Sequence, residues 1–237
     1  MNKAKKQIIE PFATENYIIS QRDDLSFVIE PKRKPDKYIV VFEAENVKPL
    51  SGDLILVKEA IFARWGVYSI YKKDYISRPI YKSIKAEGKY FIFERDGAFG
   101  IAVIAHDKFF EVTESEYENI IGVTHGCIVF KENSMYGVHS IFSKETIIIK
   151  EPIRITEKGN IMVDDCPIKD FLNFAHVHAN LNDYVISNPP FAMFCNKISH
   201  KKSIYYIPLS LRVYRCNHEL NIPENEIEDF LIKELTK

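Results

Sequence analysis

The stretch Tyr90-Phe91-Ile92-Phe93-Glu94-Arg95-Asp96-Gly97-Ala98-Phe99-Gly100-Ile101-Ala102-Val103-Ile104 decides the fold. Two apolar runs flank Asp96-Gly97, and Asp-Gly between such runs marks a β-hairpin turn whose central residues take positive φ. His106-Asp107-Lys108 supplies a second turn before Phe109, Phe110 and Val112. The stretch therefore predicts a three-stranded antiparallel meander, closed by Tyr117-Glu118-Asn119-Ile120.

Outward from that unit the pattern repeats. Gly52, Gly88, Gly126 and Gly159 each stand one residue short of an apolar run: Leu54 to Val57, Tyr90 to Phe93, Ile128 to Phe130 and Ile161 to Val163. The spacings are 36, 38 and 33 residues, the mark of a repeat architecture in which one unit cannot bury its own apolar face without neighbours. A second anchor recurs as Trp65-Gly66-Val67, Phe99-Gly100-Ile101 and Tyr136-Gly137-Val138. Glycine inside a strand is costly unless the space is used by a close backbone approach, a bulge or an aromatic ring laid across it, so the pair reads as packing. Tyr81-Lys82-Ser83-Ile84 closes the upstream unit as Tyr117 to Ile120 closes the middle one, and Glu132-Asn133-Ser134 is the turn of the downstream unit.

From Gly52 to Gly159 these residues resemble the WG-repeat, or KWG, family of mostly bacterial proteins. Trp65-Gly66 carries the eponymous pair, and phenylalanine and tyrosine replace its tryptophan at Phe99 and Tyr136. The resemblance implies a β-repeat fold and a binding or scaffolding use; it brings no catalytic residues. The clearest repeats are 52–87, 88–125 and 126–158, inside a β-repeat domain over 9–220. A basic segment, 1–8, precedes it and an amphipathic helix, 221–237, follows. Weaker copies are expected at Asn16 to Ile29 and at Phe191 to Cys195 with Ser203 to Ile207, giving five or six units over positions 9 to 215. The fold class is all-β, repeated antiparallel meanders set radially as in a small propeller or in a row as a twisted array.

Two segments switch to helical spacing. Asp165 as cap, Pro167 in the first turn, and Ile168, Phe171, Leu172 and Ala175 predict a short helix near 167–178. Pro223 and Glu224 open a second, with Ile227, Phe230, Leu231 and Leu235 on one stripe and Lys233 late, where it suits the helix dipole. This helix is expected to cover a sheet edge.

Composition excludes more than it identifies. With 32 basic and 33 acidic side chains the formal charge is -1, so no global field draws in nucleic acid or an anionic membrane. Thirteen tyrosines and sixteen phenylalanines favour strands. No apolar run reaches the ~18 residues of a spanning helix, no signal-peptide core follows Lys3, Lys5 and Lys6, and four cysteines are too few for a disulfide scaffold. A soluble protein of a reducing cytoplasm, without membrane partner or cofactor, is the expectation.

Several constellations bear on chemistry. His176 and His178 alternate as strand ligands would, with Asp164 or Asp165 near in sequence, but on the predicted helix they diverge by about 200 degrees. Cys216 and His218 are similarly spaced, and no second ligand pair completes a zinc site. No nucleophile elbow, P-loop, dinucleotide fingerprint or His-Glu-x-x-His is present. Glu30 to Asp36, with Lys32 and Arg33, forms a proline-bracketed basic loop. The segment Cys195 to Lys202, including Lys201, mixes cations with the nearby Tyr205, Tyr206, Arg212, Tyr214 and Arg215, as single-stranded nucleic-acid surfaces do. The sequence favours a non-catalytic module whose repeat loops meet a protein partner. Nucleic-acid binding at the C-terminal face is the alternative, and a metal-assisted hydrolase the third.

Overall fold

The computed structural model describes residues 9–24, 26–34, 40–141, 146–168, 185–186, 196–197, 204–207, 212–215 and 218–235. Its strands form small antiparallel sheets. The first holds β1 (Phe12–Ala13), β2 (Tyr17–Gln21), β3 (Ser26–Pro31) and β4 (Val40–Glu43), and the second β5 (Asn46–Ser51), β6 (Leu54–Lys58), β7 (Trp65–Ser69) and β8 (Asp74–Tyr81). The third comprises β9 (Ser83–Glu87), β10 (Tyr90–Arg95), β11 (Ala98–Ala105) and β12 (Lys108–Glu111). In the fourth are β13 (Asn119–Thr124), β14 (Cys127–Glu132), β15 (Met135–Ser140) and β16 (Thr146–Ile149). A three-stranded sheet of β17 (Ile153–Ile155), β18 (Ile161–Val163) and β19 (Cys166–Pro167) follows. Next, β20 (Val185–Ile186) joins the outer side of β16. The last sheet is β21 (Asn196–Lys197), β22 (Ile204–Ile207), β23 (Arg212–Arg215) and β24 (His218–Leu220), and α1 (Glu224–Leu235) ends the chain. The chain is all-β and built of repeated antiparallel meanders, as expected.

The repeat unit is one strand longer than the sequence suggested. Each periodic glycine turns the chain between the first and second strands of a sheet: Gly52, Gly88, Gly126 and Gly159 all have positive φ, from 55 to 81°. The strand before the glycine thus belongs to the same sheet as the apolar run after it. The Tyr-x-x-Ile segments are therefore not closing strands. Tyr81 ends β8 while Ser83 and Ile84 begin β9, and Tyr117 bridges Phe99 before Asn119 starts β13. The Asp96-Gly97 turn is as predicted, with φ of 54° and 88°, and Asn133-Ser134 repeats it at 47° and 66°.

The apolar runs lack alternation because their strands are covered on both faces. Ile55, Leu56 and Val57 are all buried, as are Phe91, Ile92 and Phe93, and Ile128, Val129 and Phe130. The chain divides into two units, Met1–Asp96 with His106–Phe109, and Gly97–Ala105 with Phe110–Lys237. In the first, Ile19, Phe27 and Ile29 of one sheet pack on Val47, Ile55, Val57 and Tyr68 of the next. Beyond them Tyr81 meets Phe93 and Phe109 at ring distances of 4.9 and 5.5 Å. In the second unit, Cys127, Val129, Val138, Ile147 and Ile149 pack on Ile153, Ile161 and Val163 of the following sheet. Within each unit, consecutive meanders are layers sharing one core, which is why none buries its apolar face alone.

Two of the three aromatic-glycine pairs use the glycine differently. Across from Gly66, β8 bulges between the pairings Trp65–Tyr81 and Val67–Ser77, so its backbone lies on the glycine; a Cβ would sit 2.7 Å from the Ser77 carbonyl oxygen and 2.8 Å from the Pro79 nitrogen. At Gly137 the ring of its cross-strand partner Phe130 fills the space. Cations lie over the flanking aromatics: Lys48 Nζ is 5.0 Å from the Trp65 ring centre and Lys131 Nζ 5.6 Å from that of Tyr136.

The helix expectations fare unequally. α1 begins at Glu224 behind Pro223, buries Ile227 and Ile232, half-buries Phe230 and places Lys233 in its last turn. It comes against β11, which lies inside the third sheet rather than at its edge. Pro167 is not in a helical turn: it pairs with Met162 in a short strand, because Asp164 and Asp165 make a hairpin turn, with Asp164 at φ 49°. The rest of the predicted helix, from residue 169 to 178, lies outside the described residues.

Candidate functional site

Each four-stranded meander has two ends. At one lie the turns joining strands one to two and three to four; at the other lies the turn joining strands two to three.

The first end carries side-chain bonds from one meander to another. Asp53, beside the turn glycine of the second sheet, accepts from the Thr14 hydroxyl (2.9 Å), the Asn16 amide N–H (3.1 Å) and Asn16 Nδ2 (2.6 Å) in the first. Lys72, in the last turn of the second sheet, donates to the Asp107 carbonyl at 3.3 Å and pairs with its carboxylate at 3.4 Å. The Thr124 hydroxyl donates to the Gly159 carbonyl at 2.8 Å. These ties span 39, 37, 35 and 35 residues, one repeat period each. Corresponding turns are thus cross-linked between the first and second, second and third, and fourth and fifth sheets.

Lys32 belongs to this tied end. Its Nζ donates to the carbonyls of Thr14 (2.7 Å) and Glu15 (3.1 Å), so it is a fastening and not a free finger; Arg33 and Lys34 beside it are exposed. Burial opposes the charge of Asp53, but the bonds from Asn16 and Thr14 and the nearby Lys32 outweigh it and hold the carboxyl below its ordinary 3.8. A depressed pKa gives stability that is present above the unfolded value and lost as pH falls through the folded one. Asp53→Ala is therefore expected to cost about 1 kcal/mol at neutral pH, allowing for its partly exposed position. Denaturant midpoints of wild type and variant should converge once the pH drops below 3.8; a gap that persists in acid would show the carboxylate has no such part.

The opposite end is open, and among the described residues one turn there differs from its counterparts in the third and fourth sheets. Asp96-Gly97 and Asn133-Ser134 join the equivalent strands of the third and fourth sheets, both tight two-residue turns. Between β6 and β7 the chain instead runs through residues 59 to 64, Glu59-Ala60-Ile61-Phe62-Ala63-Arg64. The Glu59 N–H donates to the Arg64 carbonyl at 2.9 Å, Ala63 takes φ 53°, and the loop is a closed, longer hairpin. Ile61 and Phe62 stand at its tip, 78% and 73% exposed. At the same end Trp65 is half-buried and Ile80, beside Tyr81, the cross-strand partner of Trp65, is 44% exposed. Near this end Lys58 pairs with Glu45 at 2.8 Å and Lys82 with Glu94.

Most residues singled out for chemistry are not among those described. His176, His178, Cys195, Lys201 and Cys216 lie outside the described residues. Asp165 is solvent-exposed and pairs with Arg154 at 3.3 Å. His218 opposes Arg215, Tyr205 opposes both Lys197 and Tyr214, and Tyr206 opposes Val213. Among the described residues no three His, Cys, Asp or Glu come together as metal ligands would. Cys127 is wholly buried, and burial pushes its thiol up to about 12, far from a nucleophile's range. No described helix is long and apolar enough to cross a membrane.

The Ile61-Phe62 tip is hidden in the sequence because its apolar residues follow Leu54 to Val57 closely and read as more core. Superimposing the repeats exposes it: where Asp96-Gly97 and Asn133-Ser134 need two residues, this turn takes six.

No family model matches the chain, and no curated protein does. Among solved structures it is similar to Kluyveromyces lactis Hsv2p, at 16% identity and a TM-score of 0.38 over 65% of this chain and 55% of that one. K. marxianus Hsv2 follows at 10% identity and 0.38, covering 90% of this chain and 63% of that one. The N-terminal domain of Nup159 matches at 7% identity and 0.36, over 88% and 72% of the two chains. The chain thus spans little more than half the length of the first of these.

Proposed function

We propose that the chain is a non-catalytic binding module of the cytoplasm that meets a protein partner through the open ends of its meanders. One observation carries the reading: bonds of one repeat period occupy one end of the meanders, while the other end displays its turns, one of them apolar and exposed. Solenoid and radial repeats hold their cores by stacking and leave turns for recognition. The resemblance of Trp65-Gly66 and its neighbours to WG repeats supports the same use.

The test compares variants at the two ends of the full-length tagged chain. A protein co-purifying in stoichiometric amount is expected, retained by Tyr71→Ser at the tied end and lost or weakened by Phe62→Ser at the open end of the same meander, with unchanged melting curves for both exposed positions. Retention of a single-stranded oligonucleotide with steeply salt-dependent affinity would shift the reading to nucleic acid. Equal loss from variants at both ends would count against the two-ended division.

A further inference from the structure

We propose that β20 is a releasable strap over the outer edge of β16, and that the edge it covers pairs with the same edge of a second copy of this chain when bared. The inference is independent of the binding-module reading and uses no turn at either end of the meanders.

The edge is built to stay in place. β16 is Thr146-Ile147-Ile148-Ile149, and β15 holds its inner side through four residue pairs, from His139–Thr146 to Tyr136–Ile149, without a bulge. His139 Nδ1 and the Thr146 hydroxyl share a hydrogen bond of 2.9 Å at one end of that ladder. Ile147 and Ile149 are buried in the core with Ile153, Ile161 and Val163. The strand has no charge, proline or bulge, the devices by which edge strands avoid pairing with other chains. The last strands of the other sheets each carry at least one: Glu43 in β4, Pro79 and two register shifts in β8, Lys108 and Glu111 in β12, Pro167 in β19 and Glu219 in β24.

β16 has β20 instead. The chain completes β17 to β19 before it returns to lay Val185 beside Ile148 and Ile186 beside Ile147, antiparallel. The fourth sheet is thereby five-stranded, among sheets of three or four strands. A two-residue strand is held by few ladder bonds, and elements so held open locally before the rest of a fold. An opened β16 presents unpaired N–H and C=O groups that accept an antiparallel strand, as β20 demonstrates. The same edge on a second copy is such a strand, and it offers four residues where β20 offers two. Two identical edges paired antiparallel about a twofold axis are self-complementary and close as a dimer.

The experiment follows the mass of the full chain by light scattering over a concentration series. Val185→Pro with Ile186→Pro removes the N–H donors of the strap, and this variant should dimerise at concentrations about tenfold or more below any at which the wild type does. Adding Ile148→Lys should restore the monomer. Ile148 is half-buried on the face away from Ile147 and Ile149, so the change puts a charge on the edge and leaves the core intact. A strap variant that stays monomeric at every concentration would overturn the proposal, as would a dimer, of wild type or variant, that survives Ile148→Lys. If the strap variant does not fold, hydrogen exchange in the wild-type chain decides. The β16 amides that face β20 should exchange about tenfold or more faster than those of β14, and equal protection would mean that the strap does not open.

Discussion

Gly66→Ala is expected to lower stability by about 3 kcal/mol, at the upper end of overpacking effects, because the added methyl meets main chain and not a side chain that could turn away. It would stand 2.7 Å from the Ser77 carbonyl oxygen, 2.8 Å from the Pro79 nitrogen and 2.9 Å from the Arg78 carbonyl carbon. To admit it, the β8 bulge must lift off β7, and that bulge also positions Tyr81, which is buried against Phe93 and Phe109. Gly52→Ala provides the contrast. Nothing lies within 4 Å of its added Cβ, and only the positive φ of 55° opposes it, at about 1 kcal/mol. Urea midpoints of the two variants decide the matter: equal losses would mean that the bulge does not depend on the missing side chain.

The second large effect is a coupling. Phe130→Ala removes a buried ring that also lies 5.0 Å from Tyr117, and about 3–5 kcal/mol should go with it. Gly137→Ala drives a methyl into the space of the same ring and should cost about 1–3 kcal/mol. The double variant should lose at least about 1 kcal/mol less than the two single losses combined, since each change vacates or fills the same volume. Strict additivity in a double-mutant cycle would show that the ring does not occupy the glycine's face.

These two glycines also mark how far the sequence can be read. That Gly66 and Gly137 serve packing is legible from their place between an aromatic and a β-branched residue; which packing each serves is not. A bulge in β8 is set by Arg78, Pro79 and Ile80, and only the register reveals it. The turn chemistry of Asp96-Gly97 is plain because positive φ at two successive residues admits few side chains. The phase of the repeat is not, since Asn46 to Ser51 and Ser83 to Glu87 carry lysine, serine and glutamate among their few apolar positions and look like connections. Lys32 is visible as a charge and invisible as a bond, because its acceptors are main-chain carbonyls. The Ile61-Phe62 tip has the composition of a core and the exposure of a loop, and composition alone favours the wrong one.

The one-period ties set the terms for any attempt to shorten this protein. A cut between the first and second meanders, after Glu45, passes through no strand and looks harmless. It would nonetheless strip Asp53 of every donor named above and leave the inward faces of Val47, Ile55 and Val57 bare to water. The first and second meanders are laid like courses of brick, one bonded to the other, so the seam in the chain is not a seam in the wall.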